Sequence, residues 1–223
     1  MSRLFPEPLL IWLAPAQVSL GGEAIACDPA FGSEPWHGAL AALAAADRKR
    51  RATVILSNHF VRYAIVPWSE GLDGGAEEEA YVRHHFAKIH GERAKGWALR
   101  WSDNGDTRLA SALDPALIDA LKQALPRLVS VQPYLMAAIN RCRAAIPKGG
   151  AWLALVEGER ACIALHAAGR WRSVQNARGG WLDLLERERH RAEGDIPDLA
   201  LLAGAQPNGD IPGWQFRELQ SAL

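Results

Sequence analysis

The chain has 223 residues, 49% of them hydrophobic, enough for one large domain or two small ones with a substantial core. Its 25 Lys plus Arg balance 25 Asp plus Glu, so no net field draws it to a polyanion or an acidic lipid surface, and nucleic acid is not expected as a primary ligand. Cys27, Cys142 and Cys162 are odd in number, widely spaced and in no CxxC pair, which points away from a disulfide framework or zinc site and toward a reducing compartment.

The first residues, Met1 to Pro8, hold no apolar stretch followed by a small-residue cleavage site, so no secretory signal is expected. The longest apolar runs, Leu9 to Ala16 and Ala39 to Ala46, fall far short of the roughly 20 residues that span a bilayer. A membrane-inserted segment is therefore not expected. Most of the nine tryptophans sit inside apolar stretches, which suits packing between elements.

In chain order, Leu9 to Ala14, Gln17 to Leu20 and Glu23 to Cys27 read as three short strands separated by Pro15 and by Gly21-Gly22. A helix follows, with Ser33 as N-cap, Pro35 in the first turn and an end near Asp47; the basic run Arg48 to Arg51 suits its C-terminal dipole better than a phosphate site. Ala52 to Ser57 and Phe60 to Val66 are β-branched and aromatic, hence strands, the second ended by Pro67. From Glu77 to His90 the spacing of Val82, Phe86 and Ile89 predicts an amphipathic helix with acidic residues in its first turn.

Trp97 to Trp101 and Arg108 to Leu113 form a hairpin about the Asp103-Asn104-Gly105-Asp106 turn. Asp114-Pro115 then starts a helix with a Leu117, Leu121, Leu125 stripe. Phe60 to Leu125 thus reads as a β-α-β-β-α module in which Phe86 and Leu121 share a core. Leu128 to Val131 is a strand and Tyr134 to Ile146 a helix, closed by Pro147-Lys148-Gly149-Gly150, where a domain boundary is expected. Beyond it, Trp152 to Val156, Cys162 to His166 and Trp171 to Gln175 make an antiparallel meander, followed by a helix from Trp181 to about Ala192 and the strand Leu199 to Leu202. This repeats the opening order of three strands, helix and strand, which suggests a duplicated α/β architecture with a cleft between two lobes.

Catalytic groupings are weak. His84, His85 and His90 with Glu77 and Glu78 lack the spacing of a metalloprotease helix, and a solvated face explains them. Ser57 near His59 lacks a strained nucleophile elbow, and no hydrogen-bonded pair is expected there. Glu186 to Arg191 mixes both signs, as a salt-bridged helix face does. No catalytic, cofactor-binding or metal residue is assigned.

The segments SNHFVRYAIVPW (Ser57 to Trp68), RLASALDPALIDALKQAL (Arg108 to Leu125), VSVQPYLMAAINR (Val129 to Arg141) and ALVEGERACIALHAAGRWRSVQNARG carry a resemblance to a known family. They resemble the actin-like assembly proteins of bacterial type IV pilus and type II secretion systems: the pilus-biogenesis M-type, secretion L-type and mannose-sensitive haemagglutinin I-type proteins. The resemblance runs from about Leu9 to Gly204 and lies in element order and loose patterns. It implies actin-like (ribonuclease H-like) lobes: residues 1–149 as a first lobe with the inserted module at about 60–125, and 150–223 as a short second lobe. It implies a cytoplasmic scaffold, peripheral at the inner membrane, gripping the cytoplasmic tail of an inner-membrane pilus or secretion protein, with self-association left open. A nuclease on such a sheet would need a carboxylate in the first strand, where Leu9 to Leu13 offers none.

Some members of the family retain ATP binding, which requires Asp-x-Gly turns at the first hairpin of each lobe. This chain departs from that pattern: the first hairpin carries Pro15, the second carries Glu157-Gly158-Glu159, and the second lobe reads as too short to enclose a nucleotide. The expected function is a non-catalytic scaffold without cofactor; the alternative is a diverged actin-like ATPase or other nucleotide-dependent enzyme. The partner is expected at a groove or sheet edge beside the inserted module, with Arg62 and Trp68 as contact residues.

Overall fold

The computed structural model describes residues 7–46, 49–68, 71–72, 74–102 and 106–219. The elements begin with strands β1 (Leu9–Ala14), β2 (Gln17–Leu20) and β3 (Glu23–Ala26), helix α1 (His37–Ala42) with a 3-10 turn after it, and β4 (Ala52–Leu56). Next come β5 (Arg62–Pro67), α2 (Gly75–His90), β6 (Ala98–Trp101), β7 (Thr107–Leu113) and α3 (Pro115–Ala124). The chain continues through β8 (Leu128–Pro133), α4 (Tyr134–Cys142), β9 (Ala151–Glu157), β10 (Arg160–Ala167), β11 (Arg170–Arg178), α5 (Trp181–Arg191), β12 (Leu199–Ala203) and β13 (Gln215–Glu218).

Two compact units result. One takes the described residues up to Val61 together with Asp114–Ala137; the other takes Arg62–Leu113 and the described residues from Ala138 onward. The first unit holds a five-stranded sheet in the order β3-β2-β1-β4-β8, and the second holds another in the order β11-β10-β9-β12-β13. In each, three strands run as an antiparallel meander and the first of them then pairs in parallel with the fourth. Strand composition sets the positions. LLIWLA of β1, AWLALVE of β9 and LALLA of β12 are near-continuous apolar runs, as strands covered on both faces require, whereas EAIA of β3 and QFRE of β13 are edges with exposed residues.

In the first unit, α1 packs on α3 and on β2, and α3 on β8. Asp114 caps α3 by accepting the Ala116 N–H at 2.8 Å, with Pro115 in the first turn. Leu117 and Leu121 on its inner face are fully buried, each worth about 1.5–3 kcal/mol of transfer free energy. In the second unit, α5 covers one face of the sheet and closes a core of Trp152, Ile163, Leu165, Leu184, Leu185 and Trp214. A third, three-stranded sheet, β5-β7-β6, packs against α2 around Val66, Val82, Phe86 and Leu99.

Several boundaries differ from the sequence reading. Helix α1 starts at His37 after a bend, its N-cap is Trp36 with no side-chain bond, and Ser33 caps nothing. Strand β5 starts at Arg62, because Phe60 and Val61 are buried in the turn that leaves β4. Helix α4 ends at Cys142 and tightens into a 3-10 turn over Arg143–Ala145. Ile89 is 56% exposed while Val82 and Phe86 are fully buried, so only two of the three residues read as the apolar stripe of α2 reach the core. Phe86 and Leu121 do not share a core: α3 joins the first unit and Phe86 the second. The divisions between the units fall at Val61, Leu113 and Ala137. Arg48 and the residues Asp103, Asn104 and Gly105 of the expected hairpin turn lie outside the described residues.

Candidate partner-binding face and the hairpin turns

Alternation along β5 puts Arg62, Ala64, Val66 and the following Trp68 on one face of the three-stranded sheet, the face that α2 covers. Ala64 and Val66 are the buried middle of this row, and Arg62 and Trp68 are its ends. Six residues of strand separate them by about 20 Å, so they do not form one pocket.

Trp68 lies in an aromatic cluster. Its ring stacks on Trp101 at 6.5 Å and meets Tyr81 edge-on at 6.1 Å, while the Arg108 guanidinium lies over it at 3.4 Å from the ring centroid. Arg108 also approaches Glu78 at 3.6 Å. Register explains the grouping, since Arg108 pairs with Val66 and Ala110 pairs with both Ala64 and Trp101. At the other end Arg62 is exposed, and its charge helps hold His90 below the usual histidine range after burial has done most of that work. The His90 ring in turn stacks on Phe86 at 6.1 Å and meets Trp97 at 5.1 Å.

The two hairpins that a nucleotide-binding protein of this fold would use are well defined. Between β1 and β2 the two-residue turn is Pro15-Ala16, closed by the Ala14 and Gln17 pair; proline offers no N–H to an anion. Between β9 and β10 the turn is Gly158-Glu159, closed by Glu157 opposite Arg160, with Gly158 at a φ of 60°. Carboxylates therefore flank the one glycine. Gly204, directly after β12, carries a φ of 79° and approaches the Val156 carbonyl so closely that a Cβ would lie 2.0 Å from its oxygen. Cys162, fully buried beside this turn, has its thiol pushed well above the ordinary range by burial, with the Glu157 charge adding to it.

Ser57 and His59, for which no bond is expected from sequence, are in fact joined: Ser57 Oγ lies 2.9 Å from His59 Nδ1 and accepts the His59 N–H at 3.1 Å. Both bonds belong to the turn that ends β4, where Ser57 also donates its N–H to the Leu13 carbonyl at 2.9 Å. Ser57 is wholly buried, which suits a turn-closing hydroxyl and not a nucleophile that must meet substrate. Among the described residues, no group of three or more His, Cys, Asp and Glu side chains could hold a metal ion, and no helix is long and apolar enough to cross a membrane.

Two sheets of matching strand order, one unit also holding a small α/β module, define the fold: it is that of the actin-like ATPases. The solved structures it matches sharpen this. The cytoplasmic domain of EpsL, an inner-membrane component of the type II secretion system of Vibrio cholerae, matches with a TM-score of 0.60 at 16% identity, over 96% of this chain and 90% of that one. A Bacteroides thetaiotaomicron protein with an actin-like ATPase fold matches at 0.60 and 11% identity, over 90% and 83%. The PilM-PilN type IV pilus biogenesis complex matches at 0.55 and 16% identity, over 83% of this chain and 66% of that one. No protein-family profile and no curated protein sequence matches the chain.

Proposed function

We propose that this chain is a non-catalytic scaffold in the assembly of a type IV pilus or type II secretion apparatus. It works on the cytoplasmic side of the inner membrane and holds the cytoplasmic tail of an inner-membrane partner. The observation that carries the reading is the end-to-end likeness, across 96% of this chain and 90% of the other, to the cytoplasmic domain of an inner-membrane secretion component. Secretion and pilus proteins recur among the matches, and one of them was solved as a complex with its pilus partner.

The hairpin turns support the non-catalytic part of the proposal. A phosphate cradle needs backbone N–H groups aimed at the anion and a glycine that lets it approach. Here one turn carries Pro15 and the other carries Glu157 and Glu159, whose charges repel phosphate. Arg62 and Trp68 remain the proposed partner contacts, Arg62 through its exposed charge and Trp68 through the aromatic cluster.

Thermal melting with millimolar magnesium-ATP separates the scaffold from a diverged ATPase. A ligand that binds only the folded state stabilises it by roughly 2.7 kcal/mol at a hundredfold excess over Kd. The scaffold reading gives no shift in Tm. A rise of several degrees that changes on replacing Glu157 or Glu159 transfers the assignment to a nucleotide-dependent enzyme.

A further inference from the structure

The basic run Arg48 to Arg51 does not serve the helix before it. Helix α1 ends at Ala42 and its 3-10 extension at Ala45, neither has a cation in its last turn, and a helix dipole fades within that turn. Lys49, Arg50 and Arg51 therefore belong to the link into β4, and the fold brings a further cation to them. Ala52 and Leu128 are Cα partners in the parallel β4–β8 register, so Arg51 and Arg127, the residues just before them, stand side by side on segments about 5 Å apart. The Ala52 N–H donates to the Arg127 carbonyl at 3.1 Å, the Leu9 N–H to the Arg51 carbonyl at 2.7 Å, and Arg127 Nη1 to the Lys49 carbonyl at 2.9 Å.

Arg50, Arg51 and Arg127 are exposed and make no ion pair among the described residues. The acids around them leave this charge standing. Glu7 and Lys49, of opposite sign, are each engaged in a further interaction, and Lys122 of α3 is paired with Asp119. Asp47 and Arg48 offset each other in the sequence. Glu23 starts β3, three strands from β4 and so about 14 Å away along the sheet, beyond the roughly 8 Å over which physiological salt lets exposed charges interact. The net charge at this end of the sheet is therefore that of Arg50, Arg51 and Arg127.

We propose that Arg50, Arg51 and Arg127 form a docking surface for the anionic lipid headgroups of the membrane at which the scaffold works. The inference rests on the scaffold reading, which brings the chain to an inner-membrane partner, and adds a second contact, with lipid. Guanidinium groups present paired N–H donors that match a phosphate. A single carboxylate of a peptide gains little on an exposed arginine, because water and salt screen the pair. A leaflet of acidic lipids carries a surface potential instead, and each basic residue held near it strengthens binding about fivefold. The chain as a whole has no excess of positive charge, so the attraction is confined to this end of the first sheet and orients the unit that carries it.

The test is co-sedimentation of the full chain with vesicles of phosphatidylglycerol and phosphatidylcholine in equal amounts, vesicles of phosphatidylcholine alone serving as the control. Only the anionic vesicles should carry the chain down, and added salt should release it. Arg127→Gln should weaken the partitioning about fivefold, and Arg50→Gln combined with Arg51→Gln about twentyfold or more. Arg187→Gln, at an exposed position of α5 in the other unit, should leave it unchanged. The double variant should keep its Tm, because its two side chains have no ion pair to lose. Absence of binding to the anionic vesicles overturns the proposal, and so does equal binding to both kinds of vesicle or by wild type and the double variant. A fall of several degrees in Tm for the double variant also overturns it, by assigning those residues to stability. Release by inorganic phosphate but not by chloride at equal ionic strength reassigns the surface to a small anion and overturns the lipid claim. Binding of hexaglutamate that depends on Arg50 and Arg51, where the vesicles fail, reassigns it to an acidic peptide and overturns the claim likewise. The vesicles hold no protein partner, so their failure removes the lipid contact alone, whereas failure of every partner tail in lipid-free buffer removes the scaffold reading.

Discussion

The Arg108 guanidinium lies 3.4 Å from the centre of the Trp68 ring, on the face of the sheet that α2 covers. Arg108 has only 14% of its side chain exposed, so the contact operates with much of the water removed, where a cation over an aromatic face is worth about 1–2 kcal/mol. A double-mutant cycle on Arg108→Ala and Trp68→Leu, followed by urea unfolding, should return a coupling near 1 kcal/mol. Additive effects would show that the two residues are neighbours without being partners.

Two residues of α2, both expected in its apolar stripe, should part company on mutation. Phe86 is fully buried among Val66, Val82 and Leu99, and Phe86→Ala should cost about 3–5 kcal/mol by transfer and cavity terms together. Ile89→Ser, at a position 56% exposed, should shift stability by no more than about 0.5 kcal/mol. Equal costs in chemical denaturation would contradict an α2 that buries Phe86 and exposes Ile89.

The β10–β11 turn holds a non-glycine residue, Ala168, at a φ of 52°, followed by Gly169 at 77°. The left-handed conformation costs a residue with a Cβ roughly 1–2 kcal/mol, so Ala168→Gly should stabilise the protein, by about 0.5–1 kcal/mol after the entropy of the unfolded glycine is counted. Gly204→Ala should do the reverse, since its Cβ would lie 2.0 Å from the Val156 oxygen at a φ of 79°. A loss of at least about 2 kcal/mol, or failure to fold, is expected there. Thermal unfolding of both variants checks the pair.

Acidification should weaken the fold before its carboxylates titrate. His166 is held below its ordinary value by burial and, after that, by the Arg143 charge; burial likewise lowers His85 and His90. Each such histidine binds a proton more readily in the unfolded chain, so stability is full above about pH 6.5 and falls as pH drops below that value toward the lowered folded pKa. His166→Gln should flatten this part of the curve. A stability profile unchanged between pH 7 and pH 5 would contradict the burial assigned to these rings.

Much of the architecture was legible because the central strands are unusually plain. The runs LLIWLA and AWLALVE can only be covered strands, and their recurrence with a meander and a helix after each exposed the duplicated order. Strand β13 was missed: QFRE has no alternation and is held as a parallel edge by β12, through pairings that no local pattern encodes. The position of α3 was misread for a similar reason, since its Leu117 and Leu121 stripe shows that it packs without showing on which core. At the candidate site, Arg62 and Trp68 stood out as a charge and an aromatic flanking an apolar strand. The grouping of Arg108 with Trp68 and Trp101, by contrast, depends on strand register across β5, β7 and β6, which one-dimensional spacing does not reveal.

The proposed grip on the cytoplasmic tail of an inner-membrane partner is open to calorimetric titration. Synthetic cytoplasmic tails of the inner-membrane pilus and secretion proteins encoded in the same genome would be titrated, one at a time, into the purified chain. The account predicts that one tail binds saturably and that Arg62→Glu weakens it about tenfold or more, as reversal of a contacting charge should. Saturable binding by none of these tails would contradict the scaffold assignment.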